Sequence, residues 1–143
     1  MGTMTEEGPK RPVPQSNALT QPFWDATKEE RLTVQRCTDC DRLFWYPREF
    51  CPLPHCFSNN YEWVDVSGKG RLHTFTIIAQ AQDAWFQERV PYIFGVIQLD
   101  EGLRMMGNVD IPVEEAACDI PVEVYFEKID DDWTLPQWRP VAS

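Results

Sequence analysis

Four of the chain's five cysteines fall in one short stretch, CTDCDRLFWYPREFCPLPHC, from Cys37 to Cys56. Cys37 and Cys40 are spaced C-x2-C, and Cys51 and Cys56 are spaced C-x4-C. Two to four intervening residues let the backbone turn back so that both sulfurs face one point. Two such knuckles present four thiolates as a tetrahedron, the set that a structural zinc ion takes. A bound cation lowers the thiol pKa, so ion and ligands favour one another. The same four sulfurs also suit an iron of rubredoxin type or an iron–sulfur cluster. Paired disulfides are the further alternative. They are disfavoured because MGTMTEEGPKRPVPQ carries no apolar signal segment, so the chain reads as cytoplasmic, where stable disulfides are rare. His55 offers a substitute fourth ligand at C-x3-H spacing from Cys51, but Cys56 completes an all-sulfur set. With all four positions filled, none is left for water, so the metal is expected to hold the fold and take no part in chemistry. Phe44, Trp45, Tyr46 and Phe50 are expected to add apolar mass to a module too small for its own core.

The rest of the chain reads as strands. Its 143 residues allow one domain or two small ones, and its six Trp, four Tyr and eight Phe favour pleated surfaces. No apolar run approaches the ~20 residues that cross a bilayer, so no membrane association is expected. Residues 1–16 are polar and proline-containing and read as a disordered leader. In NALTQPFWDATKEE, Thr20 is placed to cap a short helix and Pro22 falls in its first turn, with Phe23 and Trp24 packing inward. RLTVQR follows as a short strand with Leu32 and Val34 on one face. YEWVDV is a strand ending in an SGKG turn, and RLHTFTIIAQ is another strand. AQDAWFQERVP reads as a loop. YIFGVIQL is apolar almost throughout and is expected to be covered on both faces. DEG turns the chain into LRMMGNV, and IPVEEAACD is a helical turn or loop. IPVEVYFEKI alternates, with Val122, Val124 and Phe126 opposite Glu123, Tyr125 and Glu127. DDD makes a hairpin turn, and the prolines of WTLPQWRP suggest an edge strand. Five or six short strands with turns every ~8–12 residues fit a small antiparallel barrel.

Charge narrows the function. Of the residues from Tyr61 onward, fifteen are acidic and six basic, and they carry nearly all of the chain's net charge of −10. Such a surface repels phosphate backbones. It argues against a single-stranded nucleic-acid binder, the other use for barrel aromatics. No catalytic set is expected. G-x-S-x-G and phosphate-cradling glycine loops are missing from the sequence, and His73 stands alone within a strand. Cys118 has no cation nearby in sequence and reads as a small buried hydrophobe.

A helix with FW, two Cys knuckles, PYIFGVIQLDEGLRMMGNV, and DIPVEVYFEKIDDDWTLPQWRPV, in that order, resemble the acyl-CoA-associated zinc-ribbon/OB-fold family, domain of unknown function 35. The resemblance covers about Pro22 to Val141. It implies a mainly β fold: an N-terminal helix, a rubredoxin-like zinc ribbon, and a C-terminal OB-fold barrel. The corresponding boundaries are 17–35 for the helix and short strand, 36–60 for the ribbon and 61–143 for the barrel. It further implies a non-catalytic accessory subunit of a thiolase-type acyl-CoA enzyme in the cytoplasm. The expected assembly is a heterotetramer with a thiolase-like subunit that supplies the chemistry, and a hydratase or retro-aldolase is the alternative partner. Structural Zn2+ on Cys37, Cys40, Cys51 and Cys56 is the implied cofactor, with a CoA thioester shared with the partner and no nucleic acid bound. The C-x4-C knuckle is longer than the C-x2-C common in the family. Phe23, Trp24, Trp85 and Phe86 are the candidates to face the partner or CoA, with core packing as the alternative for each.

Overall fold

The structure, a computed structural model, describes residues 10–142. Residues 1–9, part of the expected leader, lie outside that range. Helix α1 spans Gln21–Lys28, with Thr20 at the N-cap position and a proline in the first turn. The Thr20 hydroxyl does not cap the helix. Its Oγ1 accepts from the Asn17 N–H at 3.1 Å while Asn17 Oδ1 accepts from the Thr20 N–H at 3.0 Å, which locks the preceding turn instead. The helix buries Phe23, Ala26 and Thr27. It stops where Glu30 enters the left-handed region at φ 59°.

Strands β1 (Thr33–Cys37), β2 (Leu43–Phe44) and β3 (Tyr61–Asp65) form an antiparallel sheet ordered β2-β1-β3. Leu32 and Val34 share one face, as expected, and pack into the main core. Thr33 and Gln35 on the opposite face are buried as well. The buried Gln35 amide is satisfied by the backbone of Arg48: Nε2 donates to its carbonyl and Oε1 accepts from its N–H, both at 2.8 Å. A polar side chain with no exposure thus anchors the loop between the two knuckles.

The second unit holds β4 (Lys69–Ile78), a short helix α2 (Ala84–Gln87), β5 (Tyr92–Leu99), β6 (Arg104–Val109), β7 (Pro121–Lys128) and β8 (Thr134–Pro140). The five strands close into a barrel ordered β4-β5-β6-β8-β7. Leu72, Ile93, Ile97, Leu99, Val122 and Trp138 fill it. Each such side chain contributes about 1.5–3 kcal/mol of transfer free energy, as an upper bound.

Several sequence expectations change here. Of the SGKG glycines, Gly68 makes the turn at φ +74°, whereas Gly70 is already in β4. A Cβ at Gly70 would lie 2.3 Å from the Gln98 carbonyl oxygen, so it is the close approach of β5 that requires glycine. AQDAWFQERVP is not all loop: Asp83 Oδ1 accepts from the Trp85 N–H and caps α2. Strand β5 is not covered on both faces. Ile93, Gly95, Ile97 and Leu99 are buried, and Phe94 between them is exposed. Strand β8 is not an edge strand throughout: it pairs with β7 along its whole length and with β6 at Trp138, and only the stretch before Trp138 is unpaired on the β6 side. Its prolines fit because of parity. The Val141 N–H donates to the Pro121 carbonyl, and Pro136 and Pro140 stand opposite Phe126 and Val122. Odd positions of β8 therefore bond to β7, and the prolines fall where the nitrogen points away. Cys118 is exposed, not buried, because it follows the 3-10 turn Val113–Glu115 in a surface loop. The DDD turn is as expected: Asp130 Oδ1 accepts from the Asp132 and Trp133 N–H groups, both at 2.8 Å.

Candidate metal centre and apolar groove

Cys37 ends β1, Cys40 sits in the turn to β2, and Cys51 and Cys56 come from the loop before β3. The four Sγ atoms all lie within 4.8 Å of one another. Cys37 and Cys56 are 3.6 Å apart and Cys40 and Cys51 are 3.7 Å apart. A tetrahedron of thiolates at the usual Zn–S distance has an edge of about 3.8 Å, so the donor set fits a zinc ion. Electrostatics agree. Arg42 Nε lies 3.4 Å from Cys40 Sγ and holds that thiol down to about 6. At Cys56 the Ser58 backbone favours the thiolate, but burial and the neighbouring sulfurs outweigh it and push the thiol up to about 12. Burial pushes the Cys51 thiol up as well. Four sulfurs this close cannot all ionise against each other, and a cation at their centre removes that conflict.

The long knuckle is accommodated by backbone, not by loss of a ligand. The Cys56 N–H donates to the Leu53 carbonyl and the Cys51 N–H to the Ser58 carbonyl. His55 and Phe57 on either side of Cys56 adopt left-handed φ of 66° and 57°. His55 is exposed and outside the sulfur cluster. Of the four aromatics expected to support this module, Phe44 is buried beside the sulfurs. Trp45 packs into the main core instead, and Tyr46 and Phe50 are exposed, Phe50 at 55%. The sequence around Cys51 supplies too little apolar surface to cover them.

The second feature is a groove of about 440 Å³ where α1, the Trp45–Pro47 loop, β6 and β8 meet. Phe23, Trp24 and Phe86 reach it, so three of the four candidate aromatics come together. Phe23 is 5% exposed and belongs to the core, packing 4.9 Å from both Trp24 and Trp45. Trp24 also meets Trp133 edge to face at 5.5 Å. Trp85 faces the neighbouring cleft, with the guanidinium groups of Arg89 and Arg11 at 3.3 Å and 4.5 Å from its ring. Arg11 Nη2 donates to Glu127 Oε1 at 2.9 Å, so the segment before α1 is tied to the barrel. Sequence reasoning missed Arg11 and Met106, which also line the groove. Nothing local to either residue marks it. No helix among the described residues is long and apolar enough to cross a membrane.

Residues 24–62 match the family described as ChsH2, rubredoxin-like zinc ribbon domain, and residues 63–127 match ChsH2, C-terminal OB-fold domain. Over 141 residues the chain is 32% identical to a probable enoyl-CoA hydratase alpha subunit of Thermomonospora curvata, covering 96% of this chain but only 43% of that protein. It is 31% identical over 111 residues to a DUF35 domain-containing scaffold protein of Methanocaldococcus jannaschii, covering 76% of this chain and 77% of the relative. It is also 31% identical over 103 residues to the benzoylsuccinyl-CoA thiolase subunit BbsA of Thauera aromatica, covering 71% and 67%. Among solved structures, a chain of the Ltp2-ChsH2(DUF35) aldolase superposes with a TM-score of 0.80 at 29% identity, covering 90% of this chain and 98% of that one. A four-cysteine ribbon, a five-stranded barrel and this set of relatives make the chain a member of the DUF35 family, built from a rubredoxin-like zinc ribbon and a C-terminal OB-fold domain.

Proposed function

We propose that the chain is the non-catalytic, zinc-carrying subunit of a heteromeric, thiolase-type acyl-CoA enzyme. It is needed for assembly and helps shape the CoA or acyl site of its partner. The observation that carries this reading is the closed metal site: four protein sulfurs leave no coordination position for water or substrate. A zinc ion bound there would fix the knuckles and do no chemistry. The kinship with a thiolase subunit supports the partner's class. The remaining parts of the reading are a cytoplasmic heterotetramer, a CoA thioester held jointly with the partner, and no role for nucleic acid. The functional units run from 17 to 35, 36 to 60 and 61 to 143.

A second reading keeps the role and changes the partner to an acyl-CoA hydratase or aldolase. It is favoured by the near-complete overlap with the DUF35 chain of an aldolase and by the hydratase relative. Purification of the tagged chain from its native host decides between them. The accompanying protein is identified by mass spectrometry, and the complex is assayed for thiolysis, hydration and retro-aldol cleavage of CoA thioesters. A zinc-loaded complex active in thiolysis supports the first reading. Turnover by the chain alone, or tight oligonucleotide binding with no accompanying enzyme, ends both.

A further inference from the structure

Strands β6 and β8 run parallel and pair at one position, Val109 with Trp138. There the Asp110 N–H donates to the Trp138 carbonyl at 2.7 Å. From that bridge back toward Arg104 the two strands have no paired residues, so the barrel has a seam. Parity says which backbone groups face it. The Leu99 N–H donates to the Leu103 carbonyl at 2.8 Å, and the β5–β6 register runs from Gln98/Arg104 to Ile93/Val109. Hydrogen-bonded pairs therefore fall on Met105, Gly107 and Val109. Arg104, Met106 and Asn108 direct their N–H and C=O groups away from β5, into the seam. Across it, Thr134 and Pro136 turn their own groups away from β7 by the same count. A strand with one free edge is a template for another strand.

The apolar groove lies along this same seam, with Met105 and Met106 on one lip and Leu135 and Pro136 on the other. Met106 is 50% exposed. Among the described residues no Asp or Glu lines the groove, although the chain carries a net charge of −10, and Arg11 stands at its rim. An apolar floor beside an unpaired main-chain edge suits an extended peptide segment: the edge holds its backbone and the floor takes its alternate side chains.

We propose that the open edge of β6, from Arg104 to Met106, binds a short extended segment of the catalytic partner by strand addition. The inference rests on the reading of the chain as an accessory subunit and names where the partner docks. Because β6 and β8 are parallel, a segment antiparallel to one is antiparallel to both, the more stable pairing. Strand β8 contributes less, since Pro136 has no N–H. The ladder is made mainly to Met106 and Arg104. The segment carries apolar residues at alternate positions and no lysine or arginine facing Arg11.

The test uses the full chain and the acyl-CoA enzyme subunit that co-purifies with it. Hydrogen–deuterium exchange is compared between the free chain and the complex. The Met106 amide is expected to exchange about tenfold more slowly in the complex, as a newly made main-chain hydrogen bond requires. The Met105 and Gly107 amides, already bonded to β5, change little. Met106→Pro removes the N–H on the open side and leaves the β5 ladder intact. It is expected to weaken binding about tenfold. Met106→Ala, which keeps that N–H, weakens it less. Partner binding by Met106→Pro at wild-type strength, or an unchanged Met106 amide in the complex, overturns the proposal. If Met106→Pro does not fold, the exchange result on the wild-type complex decides alone. Absence of any acyl-CoA enzyme subunit from the wild-type purification is a separate outcome: it brings down the functional reading, and this docking with it.

Discussion

Around the metal centre the buried side chains are Cys37, Phe44 and Cys51, with Cys40, Cys56, Leu53 and Tyr61 packed against them. In the barrel they are Leu72, Ile93, Ile97, Leu99, Val122 and Trp138, within a much larger apolar cluster. The first region has sulfurs where the second has hydrocarbon. A handful of residues around two knuckles cannot bury enough apolar surface to offset the entropy of ordering them, and an ion linking the four sulfurs would supply the difference. The barrel has enough side chains to do without. The two regions meet through β1: Val34, and Leu32 just before the strand, belong to the barrel's cluster, while its last residue, Cys37, is one of the four clustered cysteines. The ribbon is therefore attached to the barrel by packing, and its four cysteines are placed for a metal ion to hold it in shape.

The two regions should respond to different substitutions. Cys51→Ser should have the largest effect. Structural zinc contributes about 10–16 kcal/mol of apparent binding free energy in small modules, and losing a buried ligand should release the ion. We expect metal content to fall to background and the ribbon to unfold, while the β-barrel signal in circular dichroism persists. A ribbon that stays folded without metal would contradict the contrast drawn here.

Trp138→Ala attacks the other side. The indole is 1% exposed in the barrel core. Its removal should cost about 3–5 kcal/mol, read as a lower midpoint in urea. Metal content of the folded fraction should not change.

Smaller effects sharpen the electrostatics. Arg42 holds the Cys40 thiol down, and metal binding needs thiolates. In Arg42→Ala the thiol rises, so a proton competes for the sulfur at higher pH. Acid release of the metal should shift upward by a fraction of a pH unit, measured with a chromogenic chelator. Glu127→Gln should have the smallest effect, below ~1 kcal/mol, because the Arg11 pair is partly solvated. Arg11 and then Gln137 hold the Glu127 carboxyl below its ordinary 4.5, against burial. The stabilisation is therefore present above that pH and is lost as pH falls through the lowered value. Thermal midpoints of wild type and variant should differ near neutrality and converge in acid.

How much of this was legible in the sequence depends on the range of the interaction involved. The clustering of the four cysteines is legible from spacing alone, because a knuckle is closed by the residues within it. The alternation of β7 and the Asp130 turn are equally local. The errors arose where neighbours decide. YIFGVIQL looks covered on both faces, but on the outer face of β5 Tyr92 and Val96 are only half-buried and Phe94 is exposed. WTLPQWRP looks like an edge along its whole length, but β7 pairs with all of β8 and β6 closes on it at Trp138, so only the stretch before Trp138 is an edge. Cys118 looks like a core residue by type, and its loop carries it to the surface.

The amino-acid order alone determined that this chain ties a short metal-organised ribbon to a run of barrel strands, because ligand spacing and period-two alternation act within a few residues. The tertiary structure decided which strand stands beside which, that β6 and β8 pair at one position, and that Arg11, α1 and the Trp45 loop gather over the gap between them. Those are contacts between residues up to 116 positions apart, such as Arg11 with Glu127. Separations of that kind leave no periodic trace in the sequence.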